Sequence, residues 1–148
     1  MMKKSIFTAL ILCASLVTAK AQQAKLNINV TNIEAGKGSV VLNIYNTKEN
    51  FLKTVYITKT LKADKSTLTF KADKSTLTFV VDLPQKGTYA VTLFQDVDNN
   101  KKLKQDWLGI PQEPVGYGNN FKPSAKPKFN DCAINVNSDQ VTQTIKLY

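Results

Sequence analysis

Leu26-Asn27-Ile28-Asn29-Val30 places an apolar side chain at every second position with asparagines between. That two-residue period belongs to a strand with one buried face, because a helix would need its apolar residues three and four apart. Gly36 and Gly38 mark a turn, after which Val40, Leu42 and Ile44 resume the alternation within Ser39 to Tyr45. Thr88 to Phe94 (TYAVTLF) follows the turn Pro84-Gln85-Lys86-Gly87, and Ala133 to Asn137 and Val141 to Leu147 complete the set. Thr47 to Leu52 is expected to form one helical turn, and nothing else reads as helical. Short strands between turn signals predict an all-β fold, a single antiparallel β-sandwich of immunoglobulin-like or transthyretin-like type, with an open barrel as the rival arrangement.

The middle of the chain holds a perfect tandem repeat: Lys62 to Phe70 and Lys71 to Phe79 both read KADKSTLTF. Two copies with a nine-residue period are too few for a solenoid, so the repeat reads as a local in-frame duplication. Thr67 to Phe70 and Thr76 to Phe79 are both β-prone, and Lys71 to Ser75 is positioned to close a hairpin between them. Only the second copy continues into Val80, Val81 and Leu83. Thr76 to Leu83 is therefore the expected core strand, and the first copy an edge strand or bulging loop whose lysines discourage edge-to-edge association.

At the amino terminus, Lys3 and Lys4 precede the apolar stretch Ser5 to Thr18, and Ala19-Lys20-Ala21 supplies an A-x-A cleavage site. This predicts a signal peptide over residues 1–21, with a secreted or periplasmic domain over 22–148. The apolar run is shorter than the roughly 20 residues that span a bilayer, so no transmembrane anchor is expected after cleavage. Cys13 follows the bulky Leu12 and leaves with the signal, so Cys132 is the one cysteine retained. It reads as a buried small apolar residue.

All 20 basic residues are lysine, and the chain has no histidine. Ser-His-Asp and Cys-His catalysis, imidazole metal sites and bidentate guanidinium clamps are thereby excluded. Cleavage would remove Lys3, Lys4 and Lys20, changing the charge from +9 to 17 − 11 = +6. Scattered lysines, no arginine and an export signal argue against a nucleic-acid partner.

Gln95 to Asp131 is a long connection, and long connections in compact domains are often functional. Asp96, Asp98 and Asn100 begin it in the D-x-D-x-N pattern of a calcium loop, in which alternating oxygens converge on one hard cation, with Asp106 further along. Lys101 stands where such a loop has a glycine, and Trp107 where it has a bidentate glutamate. The same residues also fit an Asx-rich turn bonded to its own backbone, so calcium is the one cofactor for which the chain offers candidate ligands. Further on, Trp107, Tyr117 and Phe121 offer flat apolar faces, and Glu113, Asn119 and Asn120 offer hydrogen bonds. That mixture suits a carbohydrate, a peptide or another envelope component, although the aromatics would equally pack the loop onto the sandwich.

Gly87-Thr88-Tyr89-Ala90-Val91, the Asp96 to Asn100 turn and Leu108 to Asn120 (LGIPQEPVGYGNN) together resemble the secreted bacterial domain of unknown function 2141. The resemblance covers essentially the whole mature chain. Gln95 stands where that family tends to have histidine, and Asn100-Lys101 replaces an Asn-Gly pair. The family has no established activity, so the resemblance implies an exported β-sandwich and transfers no catalytic residue. The expected function is a noncatalytic binding or accessory module using the 95–120 loop; the alternative is a small carboxylate-dependent hydrolase of glycosidase type.

Overall fold

The structure is a computed structural model that describes residues 22–64, 67, 69–71 and 74–148. The signal-peptide expectation for residues 1–21 lies outside the described residues. The fold is all-β and builds two sheets, with no α-helix among the described residues. In the first sheet the order is β4 (Thr69–Lys71), β5 (Lys74–Leu83), β1 (Ala24–Thr31), β9 (Gln140–Lys146). In the second, β3 (Ile57–Lys62) pairs with β2 (Ser39–Tyr45), which pairs with β6 (Gly87–Asp96). The far edge of β6 is shared by two short strands: β7 (Val115–Tyr117) covers Thr92 to Phe94, and β8 (Ala133–Val136) covers Gly87 to Ala90.

The alternation read from Leu26 to Val30 sets the inner face. Leu26, Ile28 and Val30 are fully buried, and their partners across β5 are Val81, Phe79 and Leu77. These residues meet Val40, Leu42 and Ile44 of β2 and Tyr89, Val91 and Leu93 of β6 in one core between the sheets. Each large side chain so buried contributes about 1.5–3 kcal/mol.

One pairing departs from the expected antiparallel arrangement. β1 and β9 run parallel, with Val30 opposite Ile145 and Leu26 opposite Val141. The chain reaches β9 by crossing from β8 in the other sheet, so no hairpin sets its direction against β1. Two further strands lack a signal in the sequence. β3 exposes most of its side chains at a sheet edge, and β7 is only three residues long, so neither carries an alternating pattern. Thr47 to Leu52 does not form a helical turn but a succession of tight turns, in which the Phe51 and Lys53 N–H groups donate to the Lys48 and Asn50 carbonyls. Phe51 is thereby tucked under Tyr45, with ring centroids 5.2 Å apart.

The second copy of the repeat supplies the core strand, as its continuation into Val81 and Leu83 requires. The first copy contributes Thr69 and Phe70 of the edge strand β4, and Lys71 of the second copy completes it opposite Lys74, a closer pairing than a five-residue closure. The first copy also does something unexpected. Ala63 is fully buried, its N–H donating to the Gly38 carbonyl and its carbonyl accepting from the Gly36 N–H. The first copy thus begins in the core and ends at the edge.

Deleting Lys62–Phe70 joins Leu61 to Lys71 and restores the same local sequence, with Ala72 placed to take the role of Ala63. Urea denaturation should show a folded protein that has lost less stability than Leu77→Ala, for which about 2–5 kcal/mol is expected. A deletion as costly as Leu77→Ala would mean that the first copy holds the core together beyond Ala63.

Candidate functional site: the 95–120 loop

β6 is buried along both faces from Tyr89 to Asp96. Tyr89, Val91 and Leu93 point into the inter-sheet core, while Ala90 and Phe94 join a second cluster on the outer side of the sheet with Val41, Tyr45, Phe51, Val115, Tyr117, Phe129 and Cys132. Most of that second cluster comes from the long connection or is covered by it. The loop is therefore packed onto the sheet, and its shape is set by how its polar groups anchor it there.

Gln95 and Asp96 end β6 with opposite tasks. The Gln95 side chain is fully buried, accepting from the Glu34 N–H (2.9 Å) and donating to the Glu34 and Lys37 carbonyls (2.8 and 2.6 Å), so it holds the β1–β2 connection. Asp96 accepts the Asn100 and Lys101 N–H groups on its two oxygens at 3.0 and 2.9 Å. Lys101 has φ +64, the left-handed backbone for which a calcium loop uses glycine, and Asn99 has φ +57. The turn keeps the conformation without the glycine, at the cost of roughly 1–2 kcal/mol per left-handed non-glycine residue.

Glu113 is the second anchor, buried at 8% exposure. Its oxygens accept the Val97 and Lys104 N–H groups, each at 2.9 Å, tying both sides of the loop's base together. This brings the carboxylates of Asp96, Asp98 and Glu113 within 4.8 Å of one another. Of the three carboxylates among the four expected cation ligands, Asp96 and Asp98 lie in this group and Asp106 does not. The Asn100 side chain accepts from the Lys102 N–H, and Asp106 lies in a different turn. Glu113 takes part although its position, well beyond the twelfth residue of the loop, carries no signal of it.

From this base rises a hairpin. The Gln112 N–H donates to the Lys104 carbonyl, Gln105 bridges Pro111, and the Asp106 N–H donates to the Ile110 carbonyl. Asp106 Oδ1 accepts the Leu108 and Ile110 N–H groups, both at 2.9 Å, and Gly109 closes the turn at φ +80. At its tip stand Trp107 (90% exposed), Leu108 (63%) and Ile110 (52%). Of these three only Trp107 is among the expected contact residues; the W-L-G-I run of large apolar residues inside a turn is the signal for its two companions.

The other expected contact residues sit elsewhere. Tyr117 is buried in the second cluster, and Phe121 is half-buried against it. Asn119 and Asn120, at φ +58 and +52, are exposed but bonded to the protein itself. Asn119 donates to the Ala133 carbonyl and accepts from the Gln143 side chain, while Asn120 donates to the Thr144 carbonyl and accepts the Lys146 N–H. The pair caps the free edge of β9 and ties it to β8 of the other sheet. The open hollow of about 330 Å³ beside the loop, lined by Tyr45, Leu52, Thr92, Lys101, Lys102 and Tyr117 among others, has no carboxylate in its wall.

These features define a two-sheet all-β domain whose long connection is clamped at its base by buried carboxylates and ends in an exposed apolar tip. The chain belongs to the family described as uncharacterized protein conserved in bacteria (DUF2141), whose model matches residues 28–144. Neither a curated protein nor a solved structure shows significant similarity to it.

Burial pushes the Cys132 thiol up from 9.0 to about 12, with the neighbouring Asp131 charge adding to the effect. Burial likewise raises the Tyr45, Tyr89, Tyr117 and Tyr148 phenols above the ordinary 10.0. A group whose folded pKa exceeds its unfolded one stabilises the fold fully below the unfolded value and loses that contribution as pH rises toward the folded value. Stability is thus expected to fall as pH climbs from about 9 toward 12. Alkylation at pH 8, read at the Cys132 peptide by mass spectrometry, should be negligible in the native protein and complete in urea. Rapid native labelling would mean the second cluster opens readily.

Proposed function

We propose that the protein is an exported, noncatalytic binding or accessory module, an immunoglobulin-like or transthyretin-like sandwich that meets its ligand through the tip of the 95–120 loop. The observation that carries this reading is Trp107, Leu108 and Ile110 standing exposed together on a hairpin tied at every turn. Exposed large apolar groups in one patch mark contact surfaces, and a pre-formed hairpin loses little entropy on binding. The hydrolase reading is the weaker one, because all four oxygens of Asp96 and Glu113 accept backbone N–H groups that hold the loop. Export rests on the amino-terminal sequence.

The test pairs a tip variant with an anchor variant against glycan and peptide arrays and a panel of chromogenic glycosides. Trp107→Ser/Leu108→Ser should leave the melting temperature within a few degrees of the parent and abolish binding, since exposed residues away from structural features contribute within about 0.5 kcal/mol. Glu113→Gln should cost about 1–3 kcal/mol by leaving a buried N–H without its acceptor. Glycoside turnover that disappears in Glu113→Gln would replace the module by the hydrolase.

A second reading is favoured by the approach of Asp96, Asp98 and Glu113 to within 4.8 Å. On this reading the loop base takes a calcium ion, with the carboxylates' remaining lone pairs as ligands. Calcium should then raise the melting temperature in a concentration-dependent way that Asp98→Asn removes, because a ligand bound only to the native state stabilises it by mass action. An unchanged melting temperature at millimolar calcium would leave the three carboxylates as backbone anchors alone.

A further inference from the structure

Deepening the module reading, and resting on it, we infer that the hairpin tip inserts into the surface of an anionic phospholipid bilayer. The first ground is shape: the apolar residues crown a protruding hairpin, and a convex tip fits a deformable bilayer without needing a matching pocket.

The second ground is how the tip handles its polar groups. Apolar surroundings tolerate backbone N–H and C=O groups only when these are bonded internally. Here the Leu108 and Ile110 N–H groups donate to the Asp106 carboxylate, the Gly109 N–H to the Asp106 carbonyl, and the Ile110 carbonyl accepts the Asp106 N–H. The Gln105 side-chain amide covers the Gly109 carbonyl at 3.0 Å, so the polar backbone left outward is confined to the Trp107 N–H and the Trp107 and Leu108 carbonyls, which suits the hydrated headgroup level and not the hydrocarbon core. A sugar-binding tip would instead keep polar side chains turned outward beside its aromatic ring. At this hairpin Gln105, Asp106 and Gln112 all bond back to the turn's own backbone.

Charge supplies the third ground. Behind the tip, Lys101, Lys102 and Lys104 are exposed, while two of the acids in the same stretch, Asp96 and Glu113, are buried. The solvent-facing side of the loop is thus more basic than its composition, and lysines near an insertion point are drawn to anionic headgroups. Tryptophan at the end of an apolar wedge suits the interfacial region, where its ring is half in hydrocarbon and half in water.

Trp107 is the sole tryptophan of the chain, so its fluorescence reports the tip directly. The experiment uses the chain from Gln22 onward, which contains every described strand and both cores, with phosphatidylcholine vesicles prepared with and without phosphatidylglycerol. The expected result is a blue-shifted Trp107 emission and co-sedimentation with the anionic vesicles. Leu108→Ser/Ile110→Ser should weaken partitioning at least roughly tenfold with an unchanged melting temperature. Lys101→Glu/Lys102→Glu/Lys104→Glu, or high salt, should weaken it as well. Emission unmoved by anionic vesicles, or co-sedimentation indifferent to the tip substitutions, would overturn the lipid assignment. If arrayed glycans or peptides then still bind through Trp107, the module reading survives and only its occupant changes; if nothing binds through the tip, both fall.

Discussion

Burial of β6 on both faces is the constraint on which the rest of the molecule depends. An antiparallel sheet can leave its outer face in water when that face is polar. The outer side of β6 carries Ala90, Thr92 and Phe94, and across β2 it is extended by Val41 and Tyr45. Such a surface must be covered, and two segments share the work: the turn holding Phe51, and the long connection with Val115, Tyr117 and Phe129, continued by Cys132. The length of that connection is first of all a packing requirement. The portion left over once the cover has been built is the hairpin between Lys104 and Gln112, on which the proposed binding role rests.

The cover also explains why so many conspicuous polar residues turn inward. A segment laid over an apolar face without regular ladder pairing must still satisfy its backbone N–H and C=O groups. Asp96, Glu113, Asn119 and Asn120 do this with side-chain oxygens and amides, and Gln95 does the same for the β1–β2 connection. Residues that look like a ligand set in a linear sequence thus serve as substitutes for missing strand partners. The exposed apolar tip has no such internal task, and that contrast directs the functional reading to it.

The repeat shows how a sheet accommodates two copies of one segment. The β1 edge from Thr31 back to Ile28 accepts one STLTF segment, and the residues after that segment decide the register, because only the second copy extends the buried alternation to Leu83. The first copy ends at the open edge of β5, where Thr69 and Phe70 belong to the short strand β4. Its alanine, Ala63, occupies the buried site beside Gly38 because it follows closely on Leu61 at the end of β3.

Much of this architecture was legible in the chain. Alternation at Leu26 to Val30, at Val40 to Ile44 and beyond Thr76 determined the strands and their inner face, because a two-residue period sets every second side chain on the same face of a sheet. The absence of histidine and arginine determined which chemistry the protein lacks, and the LGIPQEPVGYGNN segment marked the family. Only the tertiary structure decided that β9 runs parallel to β1, that Glu113 rather than Asp106 joins Asp96 and Asp98, and that Tyr117 is core while Leu108 and Ile110 stand beside Trp107 at the tip. The physical reason is the same in each case. Periodicity reports a strand's own two faces, whereas the direction of a strand arriving from another sheet, the partner of a buried carboxylate and the exposure of a loop aromatic depend on contacts between segments far apart in the chain.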